Sequence, residues 1–340
     1  MHVREQTEDR ERSGLSGHAS LAKDSHGREI DEEQDPVRTC FQRDRDRILH
    51  SKSFRRLMHK TQVFIAPAGD HYRTRLTHTL EVSQISRTIA RALSLNEDLA
   101  EAISLGHDVG HTPFGHAGEA ALDDALRARD QAQRFRHYQQ SLRVLAVLER
   151  LNLTQETLEG IGGHSKGRLD LVAYDGENCP SLEAAVVRVA DRIAYLNHDL
   201  DDALRAGWLR IEDLPSEIVE IGETHSTRIG RMVIDLIENS AGKPIVGFGT
   251  RMLDMTNFMK EYLFESFYLD YPSRLPHVVE AQGLVRALFD HYADSPMSLP
   301  DGYSGLQGVV DYVSGMTDRY AARLHGELFP DAAALSIAYV

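Results

Sequence analysis

The sequence predicts an all-α protein, and three observations support that class. Apolar residues recur at helical spacing through most of the chain, strand-like alternation is scarce, and capping residues mark several helix starts. At 340 residues, the chain can form one large helical domain or two modest ones. We expect a flexible polar N-terminal segment at 1–34, a helical core at 35–210, and a C-terminal helical region at 211–340 that packs on the core.

Composition limits the class of protein. The 52 acidic and 38 basic residues give a net charge of −14, which argues against a general nucleic-acid coat protein but allows a local basic pocket. Nucleic acid is therefore not indicated as a partner. Two cysteines, Cys40 and Cys179, predict a reduced, cytoplasmic setting. We expect no membrane span and no secretory signal, because no apolar run of about 18 residues or apolar leader is present.

The most basic segment of this acidic chain is 41–64, FQRDRDRILHSKSFRRLMHKTQVF. Two interpretations of its cations have similar weight. Alternating charge on a helix usually forms a solvated face. Alternatively, some guanidinium groups bind an oligophosphate bidentately. A short strand at Gln62–Ile65 and a turn at Pro67–Asp70 are expected next.

A helix is expected at 76–93, where His78 shares a face with apolar residues such as Val82 and Ile89. A single histidine on such a face is about twice as often a core residue as a metal ligand. The next helix is expected at Glu97–His107, with Asn96 as its N-cap.

The stretch Leu105–Glu119, LGHDVGHTPFGHAGE, concentrates titratable groups. Adjacent helical side chains point about 100° apart. His107 and Asp108 can therefore bind one ion only where the backbone bends, and the glycines around them allow a bend. Pro113 suits the start of another helix, on which His116 and Glu119, spaced i, i+3, share a face.

A strong helix is expected at 182–200, with Ser181 as N-cap. It is apolar on more than one side, which predicts a central, buried position. Asp191, Tyr195 and Asp199 form one line along it. A buried carboxylate at Asp191 needs either a cation or an ion pair with a neighbouring arginine. Further helices are expected near 141–151, 154–162, 216–239, 249–269, 276–293 and 303–328.

These groups suggest a metal centre with nitrogen and oxygen ligands. The candidate ligands are His78, His107, Asp108 and Asp191, a set that suits Mn²⁺, Fe²⁺, Zn²⁺ or Mg²⁺ rather than a thiolate site. An open metal site can polarise a phosphoryl oxygen and acidify a bound water. His116 and Glu119 would then act as an acid/base and its orienting partner.

Several segments, in order, resemble one family within the HD-domain metal-dependent phosphohydrolases. His78, His107-Asp108 and Asp191 match the H…HD…D signature of that superfamily. The narrower resemblance is to the deoxyguanosinetriphosphate triphosphohydrolase (dNTP triphosphohydrolase) family. It is carried by the segments 41–64, 69–85, 105–119, 152–161, 189–202 and 311–321.

The resemblance implies a helical HD domain with one divalent metal ion, such as Mn²⁺, Mg²⁺ or Fe²⁺. The implied reaction is hydrolysis of a dNTP to deoxynucleoside and inorganic triphosphate by attack at the α-phosphorus. His78, His107, Asp108 and Asp191 would hold the metal. His116 would be the catalytic histidine, supported by Glu119, with His137 in the same pocket.

The resemblance also implies roles in substrate binding. Tyr195 would crowd a 2′-hydroxyl and Asp199 would bind the 3′-hydroxyl. The triphosphate would be neutralised by Arg75 with basic groups such as Arg47, Arg55 and Lys60, while His111 is either a second-shell group or a substrate contact. The family tends to form homo-oligomers (dimer or hexamer), some with a nucleotide effector at a subunit interface.

The chain departs from the family at two places. Tyr138 stands where the family commonly has asparagine, and the loop at 162–178 is short, so no role is carried over to His164 or Lys166. Neither the native metal nor the preferred base is predicted. Three alternatives remain: another HD phosphohydrolase, such as a 5′-nucleotidase or a nucleotide phosphodiesterase; a non-catalytic binder of nucleotides or single-stranded nucleic acid; and a bundle with structural histidines.

Overall fold

A computed structural model describes residues 2–62, 73–164, 170–174, 179–268 and 276–331. Within these ranges the regular structure is helical, and extended segments meet only in isolated bridges such as Thr61 with Thr74. The all-α prediction is confirmed. None of the helices in the described part of the chain has the length and apolarity needed to cross a bilayer.

The helices are numbered in chain order. Those of the first half are α1 (Val3–Gly14), α2 (Cys40–His50), α3 (Lys52–Arg56), α4 (Arg75–Ala92), α5 (Glu97–Gly106), α6 (Gly115–Arg129), α7 (His137–Arg143) and α8 (Gln155–Gly163). Those of the second half are α9 (Leu182–Arg205), α10 (Ser216–Ile221), α11 (His225–Ser240), α12 (Thr250–Leu263), α13 (Pro276–Asp294), α14 (Gly305–Ser314) and α15 (Asp318–Leu328).

The predicted N-caps are confirmed where the signal is local. Asn96 accepts hydrogen bonds from the first turn of α5, Thr154 from α8, and Ser181 from α9. Each side-chain oxygen satisfies a backbone N–H that has no partner within its helix.

Two long predicted helices are each divided. The helix expected at 216–239 breaks at Gly222, and Thr224 caps the second part, α11. The helix expected at 303–328 divides into α14 and α15, and Thr317 caps the latter. The helix expected at 141–151 begins earlier, as α7, and continues as a wide π-type turn over Val144–Leu148. Residues 63–65 of the expected strand, the expected turn at 67–70, and much of the 162–178 loop lie outside the described residues.

The N-terminal residues differ from the flexible segment that was expected. α1 is followed by a chain segment held by charged contacts: the Glu11 carboxylate accepts from Ala22 N–H at 2.8 Å. Arg28 donates to the carboxylate of Asp44 and to the carbonyl oxygen of Cys40. Because these partners are carboxylates and carbonyls rather than apolar side chains, apolar periodicity did not reveal the contacts.

The described residues group by contact into two units of three chain segments each. Unit 1 lies within Met1–Leu49, Thr79–His107 and Leu151–Asp270. Its central helix is the predicted α9, which packs against α5, α8, α11 and α12. The confirmed burial of α9 follows from the apolar residues on more than one of its sides.

Unit 2 lies within His50–His78, Asp108–Arg150 and Tyr271–Val340. α13 packs there against α6, α14 and α15. The chain passes from unit 1 to unit 2 at the peptide bond between His107 and Asp108, and each unit also draws on sequence from both sides of residue 150.

Candidate active site

The stretch His107–Glu119 leaves one helix, bends, and enters another. α5 ends at Gly106, with His107 as its C-cap, and α6 begins at Gly115. Phe114 and Gly115 both have positive φ, at 61° and 58°. The backbone bend that the sequence required after His107 is therefore present, and its second part uses left-handed residues.

Gly110 is required by a close approach within unit 2. A Cβ atom there would lie 2.1 Å from the backbone nitrogen of Ser141 and 2.5 Å from the carbonyl oxygen of His137. The Gly110 N–H donates to Ser141 Oγ at 2.9 Å. The bend thus rests directly on α7, the helix that begins with His137.

Unit 1 holds one histidine–aspartate pair. His107 Nε2 lies 3.9 Å from Asp191 Oδ1, and the His107 ring is fully buried. His107 Nδ1 is 2.6 Å from the carbonyl oxygen of Ser104, which fixes the proton on that nitrogen and leaves Nε2 as the ligand atom. The ring of His164 meets His107 edge-on at 5.0 Å.

Unit 2 holds a second such pair. His78 Nε2 lies 3.9 Å from Asp108 Oδ2, and both side chains are buried. Arg75 Nη1 donates to the same oxygen at 2.6 Å. His111 Nε2 lies 3.5 Å from Asp108 Oδ1. Arg75 and His111 therefore hold the Asp108 carboxylate in place.

The spacing and chemistry of both histidine–aspartate pairs are suited to binding a divalent metal ion. At 3.9 Å, each nitrogen–oxygen distance is too long for a hydrogen bond, yet shorter than the span of about 4.2 Å between two opposite ligands at about 2.1 Å from one ion. Imidazole and carboxylate donors suit Mn²⁺, Fe²⁺, Mg²⁺ or Zn²⁺. His78, His107 and Asp108 are buried, whereas the Asp191 side chain is 25% exposed. Histidine and aspartate side chains in such settings can hold a divalent metal, and the donor set does not select among those ions.

The Glu119 carboxylate lies within 4 Å of three histidines in unit 2. His137 Nδ1 is 3.0 Å from Oε1, and the Nδ1 atoms of His116 and His111 are 3.7 Å and 3.8 Å from Oε2. The rings of His111 and His137 stack in parallel at 3.9 Å. His116 and Glu119 lie close to each other, as their spacing on one helix predicted. The shortest contact between Glu119 and these three histidines, however, is with His137.

These contacts separate the pKa values of the cluster. Burial is the largest effect on Glu119 and raises its pKa, but the charge of His137 and hydrogen bonds from His116 and His137 outweigh it, so the pKa lies well below its usual range. Burial lowers the pKa of His137, yet Glu119 outweighs it and the pKa is raised. Burial, with Arg75 and His137 adding to it, holds the pKa of His111 well below its usual range. The cluster therefore combines one imidazole whose pKa is raised, His137, with one whose pKa is lowered, His111.

His116 differs from the other two histidines by its exposure. Its side chain is 58% exposed, whereas His111 and His137 are buried. Its ring meets that of His111 edge-on at 5.6 Å. A group that must exchange a proton with a substrate needs this access, which the buried histidines have less of.

The sugar-binding candidates lie on α9 in unit 1. Asp191, Tyr195 and Asp199 follow one another at successive turns, as predicted, and Asp199 is buried. Burial raises the pKa of the Tyr195 hydroxyl, which stays protonated at neutral pH. The Arg192 guanidinium lies 5.3 Å from the Tyr195 ring centre. Arg188, one of the arginines near Asp191 on α9, donates to the carbonyl oxygen of His164 at 3.2 Å.

The predicted phosphate-binding cations have different environments. Arg47 donates to the carbonyl oxygens of Leu151 and Asn152 at 2.8 Å and 2.6 Å and pairs with Glu32, so its guanidinium is used within unit 1. Arg55 is exposed. Lys60 is buried in unit 2, where it contacts backbone carbonyls.

Two contacts around the site were missed at the sequence level. The hydrogen bond between Glu119 and His137 joins residues 18 apart, and the edge contact of His164 with His107 joins residues 57 positions apart. A histidine directly after a helix that ends in two glycines was the only sequence signal for His164. Tyr138, the departure from the family, meets the His137 ring edge-on at 5.8 Å.

Comparison with known proteins identifies two domain families and several relatives of nearly the same length. The HD domain family matches residues 75–196, and the phosphohydrolase-associated domain family matches residues 246–327. A deoxyguanosinetriphosphate triphosphohydrolase-like protein of Caldanaerobacter subterraneus subsp. tengcongensis is 48% identical, covering 97% of this chain and 96% of the relative. Like-named proteins of Desulfatibacillum aliphaticivorans and Clostridium perfringens are each 44% identical, covering 97% of this chain and 98% of each relative.

The HD-family match runs from Arg75 to Leu196 and so includes both histidine–aspartate pairs and the Glu119 cluster. The relatives agree with the chain over nearly its whole length. The chain is an HD-domain phosphohydrolase and belongs to the family of deoxyguanosinetriphosphate triphosphohydrolase-like proteins.

Proposed function

We propose that the protein hydrolyses deoxynucleoside triphosphates, either dGTP or several dNTPs, to deoxynucleoside and inorganic triphosphate. The observation that carries the proposal is the Glu119 cluster with its three histidines, in a chain whose relatives are named for that reaction. A structural bundle does not require an exposed histidine beside a buried carboxylate with two more histidines.

We further propose that His78, His107, Asp108 and Asp191 hold one divalent ion, Mn²⁺, Mg²⁺ or Fe²⁺. The support is the pair of histidine–aspartate distances described above, one in each unit. A bound ion supplies Lewis-acid polarisation of the α-phosphoryl group and a more acidic water. Arg75, which donates to Asp108, orients that carboxylate.

The Glu119 cluster supplies the proton that the reaction needs. When water attacks the α-phosphorus, its oxygen stays with the triphosphate and the bond to the sugar O5′ breaks, so O5′ must gain a proton. His116 is the proposed catalytic histidine because it is exposed and is oriented by Glu119. His137 holds a second proton on Nδ1, bonded to the same carboxylate. Neutral His111, stacked on His137, is proposed to contact the substrate phosphate.

Tyr195 and Asp199 are proposed to select the deoxyribose. An aromatic ring against the sugar leaves no room for a 2′-hydroxyl, and a buried carboxylate can accept a hydrogen bond from the 3′-hydroxyl. Arg75 and the exposed Arg55 are the better placed of the proposed triphosphate cations. Arg47 and Lys60 would have to give up their present backbone partners to reach phosphate.

The remaining proposals concern assembly and location. We propose a cytoplasmic homo-oligomer, a dimer or hexamer, in which a nucleotide effector binds at a subunit interface. Their support is the family resemblance and the two cysteines, both without a disulfide.

The decisive experiment identifies the product. The purified protein is incubated with dATP, dGTP, dCTP or dTTP and Mn²⁺, first singly and then as mixtures, and the products are resolved by anion exchange. We expect deoxynucleoside and triphosphate. Orthophosphate or pyrophosphate would instead indicate a different HD phosphohydrolase, and binding without any turnover would indicate a nucleotide sensor. Turnover only in mixtures would show that a second nucleotide activates the enzyme.

A further inference from the structure

Asp318, the first residue of α15, connects two distant chain segments of unit 2. Its Oδ1 accepts a hydrogen bond from Phe114 N–H at 2.9 Å. Its Oδ2 accepts from Thr61 N–H at 2.8 Å and from Thr61 Oγ1 at 2.6 Å. The carboxylate is 2% exposed, so these three donors satisfy a group that would be costly to bury alone.

Lys60 adds a second connection beside the first. Its buried Nζ donates to the carbonyl oxygen of His111 and, at 2.9 Å, to that of Ser314. Lys60 is followed directly by Thr61, which Asp318 holds. The bend that contains His111 is thus connected to the segment 314–318 at two points. Phe114 bonds directly to Asp318, and His111 is linked to Ser314 through Lys60.

Phe114 is the residue whose conformation depends on this arrangement. Its φ of 61° is unfavourable for a bulky side chain, and it is the N-cap of α6, where its own side chain makes no capping hydrogen bond. Its N–H instead has the Asp318 carboxylate as partner. Asp318 therefore holds the residue at which α6 begins. The direction of α6 determines where His116 and Glu119, in its first two turns, place their side chains.

We propose that Asp318 is a positioning residue for catalysis, which acts through Phe114 on His116 and Glu119. The proposal rests on the proposed function, because it assigns Asp318 a part in that reaction. The hydrogen bonds of Asp318 described above go to the backbone of Phe114 and Thr61 and to the Thr61 hydroxyl, so Asp318 acts on the reacting groups through other residues. It belongs to the sequence segment 311–321, to which the proposed chemistry assigned no role.

The alternative is that Asp318 contributes to stability alone, and the chain offers a matched control. Asp44 of unit 1 is also buried, and it too accepts from one threonine through both N–H and Oγ1, here those of Thr154. The substitutions Asp318→Asn and Asp44→Asn therefore each remove a buried carboxylate charge that a threonine binds in the same way. Asp44 also accepts from Thr157 Oγ1 at 2.8 Å and pairs with Arg28, so its substitution is the more severe test of a purely structural loss. Only Asp318 faces the bend that leads to His116.

The first measurement is kcat and KM per folded molecule, with the folded fraction taken from circular dichroism. For Asp318→Asn we expect kcat to fall about 10- to 100-fold with KM within about threefold, because a small misplacement of catalytic groups costs that much. Asp44→Asn should leave kcat within about threefold even where it lowers the melting temperature. Thr61→Val, which removes one hydroxyl bond and keeps both backbone bonds, should lie between wild type and Asp318→Asn. Equal kcat values for the two asparagine variants would overturn the proposal.

The second measurement does not need turnover. Long-range ¹H–¹⁵N spectra report the imidazole groups, and the variants His116→Gln and His137→Gln assign their signals. We expect the His116 and His137 signals to shift in Asp318→Asn and to stay in place in Asp44→Asn. If Asp318→Asn shows these shifts but the wild-type protein hydrolyses no dNTP, the proposed function alone is refuted. Unshifted signals in a folded Asp318→Asn protein would refute the positioning role alone.

Discussion

Glu119 is bonded more closely to His137 than to His116, the histidine one turn before it on the same helix. The Nδ1 atom of His137 is 3.0 Å from Oε1 of Glu119, and the His137 backbone N–H donates to the same oxygen at 3.0 Å. The carboxylate therefore fixes both the ring and the start of α7. This relationship makes Glu119 the shared partner of an exposed and a buried imidazole.

Replacing Glu119 by glutamine should remove the charge that raises the pKa of His137 and orients His116. We expect kcat to fall by about 10²- to 10³-fold, since general acid–base groups contribute on that scale. The measurement is triphosphate release at saturating nucleotide and Mn²⁺. Asp124→Asn, an exposed carboxylate on the same helix, is the control and should keep kcat within about threefold. A Glu119→Gln enzyme as active as this control would remove the cluster from the mechanism.

Replacing Asp191 by asparagine should weaken metal binding. The change keeps the side-chain shape but removes the negative charge beside His107 Nε2. We expect the Kd for Mn²⁺, measured by titration calorimetry, to rise by at least about tenfold. Asp201→Asn, on the same helix and paired with Arg205 at 3.0 Å, should leave the Mn²⁺ affinity unchanged. An unaltered Kd in Asp191→Asn would exclude Asp191 as a ligand.

Gly110→Ala should destabilise the fold. The new Cβ would lie 2.1 Å from Ser141 N. The atom it meets belongs to the backbone of α7, which cannot move aside as a flexible side chain could. We expect the free energy of unfolding, from urea denaturation, to fall by about 1 to 3 kcal/mol or more. Gly230→Ala is the control, because α11 leaves nothing within 4 Å of its added Cβ. There alanine should stabilise by up to about 1 kcal/mol through its higher helix propensity. A Gly110→Ala protein as stable as wild type would show that the bend can move away from α7.

Glu11→Gln should change how stability depends on pH. Burial raises the pKa of Glu11 from 4.5 to about 7, so the folded state holds its proton more tightly than the unfolded chain. Wild-type stability contributed by this group is therefore present below about pH 4.5 and is lost as pH rises toward 7. Glutamine stays neutral and still accepts from Ala22 N–H. The variant should match wild type near pH 4.5 and exceed it at pH 8 by up to roughly 3 kcal/mol in free energy of unfolding.

The check is a pair of urea titrations of each protein at pH 5 and pH 8, compared as a difference so that other titrating groups cancel. A variant that is less stable than wild type at pH 8 would show that Glu11 is held as a carboxylate by its partners rather than penalised by burial.

Local signals allowed part of this structure to be predicted from sequence. The N-caps Asn96, Thr154 and Ser181 lie next to the helices they begin, so the starts of α5, α8 and α9 were readable. The burial of α9 followed from its apolar periodicity. The breaks at Gly222 and before Asp318 were missed because amphipathic spacing continues across them.

The contacts that define the site were less readable, because they join residues far apart. Spacing alone suggested that His116 and Glu119 are neighbours, but the bond from Glu119 to His137 depends on where α7 packs against the bend. Arg47 shows the opposite case. Its charge suggested phosphate binding, whereas backbone carbonyls near residue 151 take up its guanidinium. Hydrogen bonds to main-chain atoms leave no pattern in side-chain identity.

The hydrogen bond between Asp318 and Phe114 spans 204 residues, which has a consequence for biosynthesis. A ribosome adds roughly 5 to 20 residues per second, so Phe114 waits about 10 to 40 seconds for its acceptor to be made. Once residue 164 has been made, and until residue 318 follows, the nascent chain contains every histidine of the site but not the carboxylate that holds the left-handed turn. Hydrolytic competence would then arise late in translation, when the last helices join the fold, and incomplete chains would stay inactive toward the cell's nucleotide pool.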